Sequence, residues 1–478
     1  MQWPLIVRLR GWLVVGVLGA FVLGATLVTA PPVRADGMAS GADLSVAQSL
    51  GDRELTVIVR RAQPVPGPLR VDVVAHSGTA AGMLTLTAAP SDRAGETSSA
   101  SVELGDRPGP YPATLRVVHA GPWELSVSDG QRTARIPFVV AAPVVTPWER
   151  AAYGGFCAAG ALLLVALGSA VLTRRGWPTL VATGAMIAAF SVGVTGAVLS
   201  SSAPPPRAAG SLLDPTSDTV ADPYPEVDLP LTTKYSRPPV NMTVRADPRA
   251  GGPAEVRLSL TDSATGRPVD DLLVTDDALL HLMVVGPSGR LWHRHPIRTA
   301  PGEFRVGLGG AESGEYAIAA EIARRGGGLQ LLRSSVSITS ETPPGTADPT
   351  PPGAELVIGD PVAGEPTTLT AKFGGAADLQ PWLGMLGHLI AVGPLPAGVA
   401  PGTAAQTAPI WAHAHAMTPM PPTGGQPPDE TVAAYGPNVP FTFTFPLPGR
   451  YLVWVQAERG YSVLTVPATI DVRAGAAR

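Results

Sequence analysis

Residues 280–295 have the sequence LHLMVVGPSGRLWHRH, in which two short apolar runs flank a turn. Pro287-Ser288-Gly289 places Pro at the first turn position and Gly where a left-handed conformation is needed. The pattern is typical of a β-hairpin with a three-residue loop. With that loop Met283 pairs with His293 and His281 with His295, so these side chains share one face of the hairpin.

Short runs of this kind, separated by Gly and Pro, recur on both sides of the hairpin. Three of them begin with a glycine followed two residues later by an aromatic, in Gly121-Pro-Trp123, Gly314-Glu-Tyr316 and Gly449-Arg-Tyr451. Period-2 alternation along such strands buries one face of each. We therefore predict a mainly β chain with three Ig-like β-sandwiches, over 36–143, 238–341 and 354–474, joined by linkers at 201–237 and 342–353.

The composition excludes some classes of function. Only 15% of the 478 residues are charged and the formal net charge is -4, so there is no basic surface for nucleic acid. The single cysteine, Cys157, cannot form an internal disulfide, so the predicted sandwiches depend on their hydrophobic cores.

The first 35 residues are typical of a signal peptide. Arg8 and Arg10 precede an apolar stretch, and Val33 and Ala35 place a β-branched and a small residue at the positions that a signal peptidase reads, which allows cleavage after Ala35. An uncleaved anchor helix is the alternative. Both interpretations place the chain from residue 36 onward outside the cytoplasm.

Two further apolar runs, 151–173 and 178–199, predict a transmembrane hairpin within residues 148–200. Arg174 and Arg175 lie between them, and the positive-inside rule places that loop in the cytoplasm. The prediction is a plasma-membrane protein that contacts the lipid bilayer through two helices and carries its domains on the extracytoplasmic side. A soluble αα-hairpin is the alternative.

Six of the eight histidines form two matching groups, each with one His on a strand and a His-x-His on the next. Residues i and i+2 of a strand point to the same face, and neutral imidazole suits Cu(II), Zn(II) and Ni(II). Two thioethers follow the second group and would favour Cu(I). The predicted ligands of copper, or alternatively zinc, are His281, His293 and His295 in the second sandwich and His388, His413, His415, Met417 and Met420 in the third.

Other assignments of these residues stay open. A His-x-His can be two solvent-facing strand residues, and the segment 393–409 is a Pro/Ala/Gly loop too long to fix the register of the second group. Trp411 could cover an ion by a cation–π contact. His76 and His119 stand alone in the first sandwich, and we expect them to be structural.

Two segments carry a family resemblance. Residues 280–285 with His293-Arg-His295-Pro296, and the block DLQPWLGMLGHL at 378–389, resemble actinobacterial exported proteins with YtkA-like β-sandwich domains, which are often linked with heavy-metal or copper handling. The resemblance covers about 240–474 and implies the sandwich fold. This chain departs from it at Ala416, where the family has Pro after His-x-His.

The leading functional hypothesis is a non-enzymatic module that binds or buffers copper. The alternative is an interaction or scaffold protein whose Ig-like modules dock a membrane or envelope protein. An enzyme is disfavoured because the sequence has no Gly-x-Ser-x-Gly, His-Glu-x-x-His or Cys-x-x-Cys motif.

Overall fold

Helices and strands separate into two units in the computed structural model of this chain. One unit includes residues 143–206, and the other comprises 41–142 and 207–478. The predicted signal peptide, Arg174, residues 202–237 and Met420 lie outside the described residues. The structure describes residues 43–60, 65–91, 94–140, 146–173, 175–201, 239–247, 254–324, 327–341, 350–418 and 430–475.

The helical unit is a hairpin of two apolar helices, as the sequence predicts. Helix α1 spans Pro147–Leu172 and helix α2 spans Trp177–Ser201. α1 begins before the predicted position because Thr146 caps it. The Thr146 hydroxyl accepts a hydrogen bond from the backbone N–H of Glu149, and Pro147 occupies the first turn, where an amide hydrogen is not needed. By length and composition, both helices could cross a bilayer.

Glycines allow the two helices to approach closely. A Cβ placed on Gly155 would lie 2.4 Å from the backbone nitrogen of Gly193, and one placed on Gly196 would lie 2.6 Å from that of Ala152. Contacts between small residues of this kind are typical of helix pairs inside membranes.

Three β-sandwiches make up the other unit, each with its own hydrophobic core. The first has the four-stranded sheets β1-β2-β3-β6 and β5-β4-β7-β8. Its strands are β1 (Leu44–Leu50), β2 (Arg53–Val59), β3 (Gly67–Ala75), β4 (Gly82–Pro90), β5 (Ser98–Leu104), β6 (Gly109–Val117), β7 (Gly121–Ser128) and β8 (Thr133–Val140).

The second sandwich pairs the sheet β14-β15-β10-β9 with the sheet β11-β16-β12-β13, and β17 runs along β16. Its strands are β9 (Val240–Asp247), β10 (Ala254–Asp262), β11 (Leu272–Leu273), β12 (His281–Val285), β13 (Leu291–Arg294), β14 (Ile297–Ala300), β15 (Glu303–Leu308), β16 (Gly314–Arg324) and β17 (Gly328–Ile338).

The third sandwich pairs the sheet β18-β19-β23 with the sheet β20-β24-β21-β22, and β25 runs along β24. Its elements are β18 (Glu355–Ile358), β19 (Pro366–Lys372), β20 (Leu379–Gln380), β21 (Met385–Leu395), α3 (Pro401–Thr407), β22 (Ile410–Met417), β23 (Asn438–Thr444), β24 (Gly449–Arg459) and β25 (Ser462–Val472).

The segment 393–409, predicted as a loop, is partly ordered into regular structure. β21 extends to Leu395, and the short helix α3 follows from Pro401. A proline suits the first turn of a helix, and the alanines that follow have the highest helix propensity. A Cβ on Gly402 would lie 2.2 Å from the carbonyl oxygen of Glu315, so α3 sits directly on β16.

The repeated glycine–aromatic motif has the same role in all three sandwiches. Each glycine is the first residue of its strand and has a positive φ, between 128° and 146°. Each aromatic is fully buried and donates a hydrogen bond to the carbonyl four residues upstream, from Trp123 to His119, from Tyr316 to Glu312 and from Tyr451 to Leu447. A strand that begins with glycine and holds its aromatic residue by a hydrogen bond to the preceding loop is therefore found once in each sandwich.

The second and third sandwiches pack against each other through the outer faces of β12, β13 and β16 on one side and β21, β22 and β24 on the other. A separate apolar core fills this contact, so β12 is buried on both faces. We call this cluster the interface core; it contains Met283, Val285, Leu291, Ala317, Ala319, Ile390, Val392, Ala405, Ala408, Trp411 and Trp454.

The first sandwich joins the same unit through backbone contacts. Ser49 donates its N–H to the carbonyl of His295 at 2.7 Å, and its hydroxyl accepts the N–H of His295 at 3.1 Å. The Arg298 guanidinium also reaches Glu124 at 3.1 Å. All three sandwiches thus contribute to the surroundings of the histidines.

We expect Gly155→Leu to separate α1 from α2, because the leucine would collide with the backbone of Gly193. Gly160→Leu is the matched control, since no atom of the residues that the structure describes lies within 4 Å of a Cβ there. Hydrogen–deuterium exchange of the full chain in detergent should show faster exchange across both helices in the first variant and wild-type exchange in the second. Equal exchange in the two variants would contradict this packing.

Candidate metal centre

The six histidines of the two predicted groups lie together at one end of the interface core. His293 lies 5.7 Å from His281, 5.1 Å from His295, 4.9 Å from His413 and 5.5 Å from His388, measured between ring centroids. His415 completes the set at 4.4 Å from His413. The sequence analysis treats the groups as separate sites, whereas the structure joins them in a single cluster, which we call the histidine cluster.

The hairpin register predicted for the second sandwich is confirmed. Met283 pairs with His293, and the N–H of Gly286 donates to the carbonyl of Arg290 at 2.9 Å. His281 and His295, the next predicted pair, have their ring centroids 5.2 Å apart. The loop residues at 287–289 are therefore sufficient to set the geometry of this group.

The third sandwich reaches the same result through β21 and β22. His388 pairs with His415, and Ile390 pairs with His413. Since cross-strand partners and residues two apart share a face, His388, His413 and His415 all project from one side of the sheet. That side is the one that packs on the second sandwich.

Four of the histidines donate one ring N–H to an acceptor at the edge of the cluster. A carbonyl or carboxylate oxygen can only accept, so the nitrogen that faces it carries the proton. The donors and acceptors are His281 Nε2 to the Thr275 carbonyl (3.0 Å), His293 Nδ1 to Gln456 Oε1 (2.9 Å), His388 Nε2 to the Trp382 carbonyl (3.0 Å) and His413 Nδ1 to Glu321 Oε2 (2.9 Å).

In the neutral imidazole the other nitrogen carries a lone pair, and these nitrogens face one another. His281 Nδ1 and His293 Nε2 are buried and have no hydrogen-bond partner among the described residues, and the same holds for His295 Nε2. His413 Nε2 lies 3.1 Å from His388 Nδ1 and 3.2 Å from His415 Nε2. With His388 and His413 in the tautomers set by Trp382 and Glu321, two lone pairs oppose each other without a proton between them.

Two sets of three histidines have donor atoms within 4.8 Å of one another. One set is His281, His293 and His413, and the other is His388, His413 and His415. Histidines that bind a metal almost always donate their second N–H to a carboxylate or a carbonyl, as four of these do. The arrangement therefore has the donors and the supporting contacts of a metal site.

Burial keeps five of the six histidines uncharged. It lowers the pKa of His281 and holds the pKa values of His293, His295, His388 and His413 well below the usual range, and neighbouring imidazoles lower them further. At neutral pH these side chains are in the form that coordinates metals.

Trp382 is a member of the site that sequence reasoning did not select for a role. Its ring lies 4.8 Å from His388 and 5.2 Å from His293, while its carbonyl holds His388. It also borders a cavity of about 300 Å³, whose walls include His293 and His295, and His76 from the first sandwich. The cavity provides space beside the histidines. The only sequence signal for Trp382 is its place in the DLQPWLGMLGHL block.

Of the two predicted sulfur ligands, one is exposed and the other is not described by the structure. Met417 is the last residue of β22 and is 66% exposed, in contrast to the enclosed histidines. Met420 lies outside the described residues. Trp411, considered as a cover for the ion, instead belongs to the interface core and donates its indole N–H to the Ala405 carbonyl.

His76 stands apart from the other histidines in sequence but has buried polar partners in the structure. Its Nδ1 lies 2.7 Å from Glu458 Oε1, and its Nε2 lies 3.4 Å from Glu430 Oε2 and 3.0 Å from the hydroxyl of Thr56. All of these side chains are buried, so His76 connects the first sandwich to the third through two carboxylates. His119, by contrast, packs on Trp123 with ring centroids 5.0 Å apart.

The charges of this triad depend on one another. Burial alone would lower the pKa of His76, but Glu430 and Glu458 outweigh it and raise that pKa to about 9. Burial raises the pKa of Glu430 to about 8; His76 opposes this shift and Glu458 reinforces it. The triad therefore holds protons more tightly in the folded chain than in the unfolded one.

Comparisons with known proteins bear mainly on the fold. A sequence model of a domain of unknown function, DUF8832, matches residues 353–474, which hold the third sandwich. This match covers less than half of the chain and describes that domain alone. No curated protein matches the chain.

Two solved structures are similar to the chain. One is the tetra-tandem repeat in the extending region of a large adhesion protein, at 11% identity over 90% of this chain and 74% of that one, with a TM-score of 0.15. The other is the FN1-FN3 region of chicken CNTN1, at 8% identity over 87% of this chain and 97% of that one, also with a TM-score of 0.15. Scores this low support no argument about function.

We expect the β unit to lose stability as the pH rises from about 6.5 toward 9. The folded pKa of His76, about 9, exceeds its ordinary value of 6.5. Its contribution to the free energy of unfolding is therefore complete below pH 6.5 and is lost as the pH passes 9. The pKa of Glu430, raised to about 8, makes stability fall with rising pH in the same way. Urea unfolding of the full chain at several pH values, with a chelator present, measures this slope.

His76→Gln should flatten the slope, whereas His119→Gln, outside the triad, should leave it unchanged. An unaltered slope in the His76→Gln chain would mean that the triad does not control the alkaline loss of stability.

Proposed function

We propose that this chain is a membrane-anchored extracytoplasmic protein that binds a transition metal, copper in the first place, in the histidine cluster. The observation that carries the proposal is the convergence of inward-facing imidazole nitrogens whose second nitrogens are held by fixed acceptors. His388 Nδ1 and His413 Nε2, only 3.1 Å apart, have no proton to share in these tautomers. A metal ion bound to both nitrogens would replace the repulsion between their lone pairs with two coordinate bonds.

The chemistry of the donor set favours copper over other divalent ions. All six converging side chains are imidazoles, which suit Cu(II), Zn(II) and Ni(II), and among these Cu(II) forms the most stable complexes. The exposure of Met417 favours Cu(II) over Cu(I) as the bound state. Zinc is the second metal that the site fits. The resemblance of residues 240–474 to YtkA-like domains supports the same function.

The anchoring rests on α1 and α2. Large apolar side chains on both helices are exposed, including Leu172 at 85% and Leu180 at 74%. An apolar surface of this extent favours a lipid environment over the soluble hairpin considered as the alternative. The two arginines at 174–175 favour a cytoplasmic turn, with both helix ends that lead to the β unit on the outer side.

A scaffold without metal is the second candidate, because the three sandwiches and their buried contacts form one continuous unit. In that case the histidines would serve only to join the second sandwich to the third. We expect measurements of metal affinity and of folding in histidine variants to distinguish the metal-binding protein from the scaffold.

The test replaces His293 and His388, one from each three-histidine set, with Gln in the full chain in detergent. Competition titration with Cu(II) and Zn(II) should show tight binding by the wild type and a loss of at least about tenfold in the double variant. His119→Gln is the control and should bind as the wild type does. Near-UV circular dichroism should show the native fold in all three proteins.

Two outcomes would contradict metal binding. One is a wild-type Kd weaker than about 10 μM for both ions, equivalent to a binding free energy of about -7 kcal/mol. The other is an unchanged affinity in a double variant that is folded. Loss of the fold in the double variant, together with weak binding by the wild type, would favour the scaffold.

A further inference from the structure

The histidine cluster offers its donors as two sets rather than one. His281 and His293 come from the second sandwich, His388 and His415 come from the third, and His413 belongs to both sets. Because the donor atoms within each set are no more than 4.8 Å apart, each set by itself can surround one ion.

His413 can serve only one of these positions at a time. Its Nδ1 is occupied by Glu321 at 2.9 Å, so Nε2 is the only nitrogen that it directs into the cluster. One lone pair coordinates one ion. Two divalent ions a few ångströms apart in a buried site would also repel each other strongly, since the surroundings screen charge much less than water does.

The two positions have different surroundings. His293 lines the cavity of about 300 Å³, as does the nearby His295, whose Nε2 has no hydrogen-bond partner within the described part of the chain. On the other side the His415 side chain is 18% exposed, compared with 2% for His413, and its Nδ1 lies 3.8 Å from Asp276. An ion at the first position therefore faces the cavity, and an ion at the second lies closer to the surface.

We propose that the histidine cluster holds one ion at a time in two alternative positions that share His413. The cavity-side position uses His281, His293 and His413, and the outer position uses His388, His413 and His415. Movement between them exchanges two ligands while His413 stays bound, so the ion need not leave the protein to change sides. This inference rests on the proposed function and specifies how the same site is occupied.

The test uses Cu(II) with the full chain in detergent. Titration should give one bound equivalent, and electron paramagnetic resonance should show two overlapping copper signals with nitrogen couplings. His281→Gln should leave only the signal of the outer position, and His415→Gln only that of the cavity-side position. Each single variant should retain one equivalent, with an affinity reduced by no more than about tenfold.

His413→Gln affects both positions and should lower the affinity much more than either single variant, to about the level of the His281→Gln/His415→Gln double variant. His119→Gln, remote from the cluster, should match the wild type in number of ions and in spectrum. Near-UV circular dichroism identifies any variant that does not fold, and the wild-type stoichiometry and spectrum test the inference without any substitution.

Several results would overturn the inference. Two equivalents in the wild type would show simultaneous occupancy. Identical spectra from folded His281→Gln and His415→Gln would show a single position. Both results would leave the proposed function standing, whereas a wild type that binds no copper would remove the proposed function and the inference with it.

Discussion

The packing of the second sandwich on the third is the contact on which the histidine cluster depends. Each sandwich buries one face of its sheets in its own core, and the outer faces of β12, β13 and β16 would otherwise meet solvent. The interface core covers them with Trp411, Trp454 and several aliphatic side chains. Burial of apolar area at about 25 cal/mol per Å² supplies the favourable free energy that compensates for desolvating the imidazoles beside it.

Buried histidines have opposite pKa shifts in two neighbouring places, although burial itself lowers the pKa in both. In the histidine cluster the side chains around each ring are mostly other imidazoles, and the pKa values fall. At His76, two carboxylates outweigh desolvation, and the pKa rises. One region therefore contains neutral imidazoles and the other a protonated imidazole paired with acids, although the two border a common cavity. Burial favours the neutral form in both regions, and the two carboxylates beside His76 reverse that preference there.

The sequence was sufficient for the local features of this fold and insufficient for the contacts between sandwiches. The turn at 287–289 determines the pairing of Met283 with His293, and period-2 alternation identifies the strands. The meeting of His388 with His293 follows from docking of whole sheets, which no local pattern encodes. The run LIAV at 389–392 in β21 did carry a signal, since a strand segment without polar side chains on either face is buried on both.

Contacts between residues far apart in sequence were the other feature that the sequence did not predict. The carboxylate partners of His76 follow it by more than 350 positions, and Glu458 lies in β24 between the polar residues Gln456 and Arg459. The local sequence of β24 therefore does not identify the partner of Glu458. Trp382 was equally inconspicuous, because its role depends on where its ring and its carbonyl lie relative to two different sandwiches.

The β unit contains residues from before and after the helical hairpin, and this constrains how often the chain between them can cross a bilayer. Residues that precede α1, such as Ser49, hydrogen-bond to residues that follow α2, such as His295. A chain that crossed a bilayer only once between these segments would leave them on opposite sides, where they could not meet. A pair of crossings returns the chain to the side it left, so closure of this unit is compatible with an even number of crossings and excludes a single one.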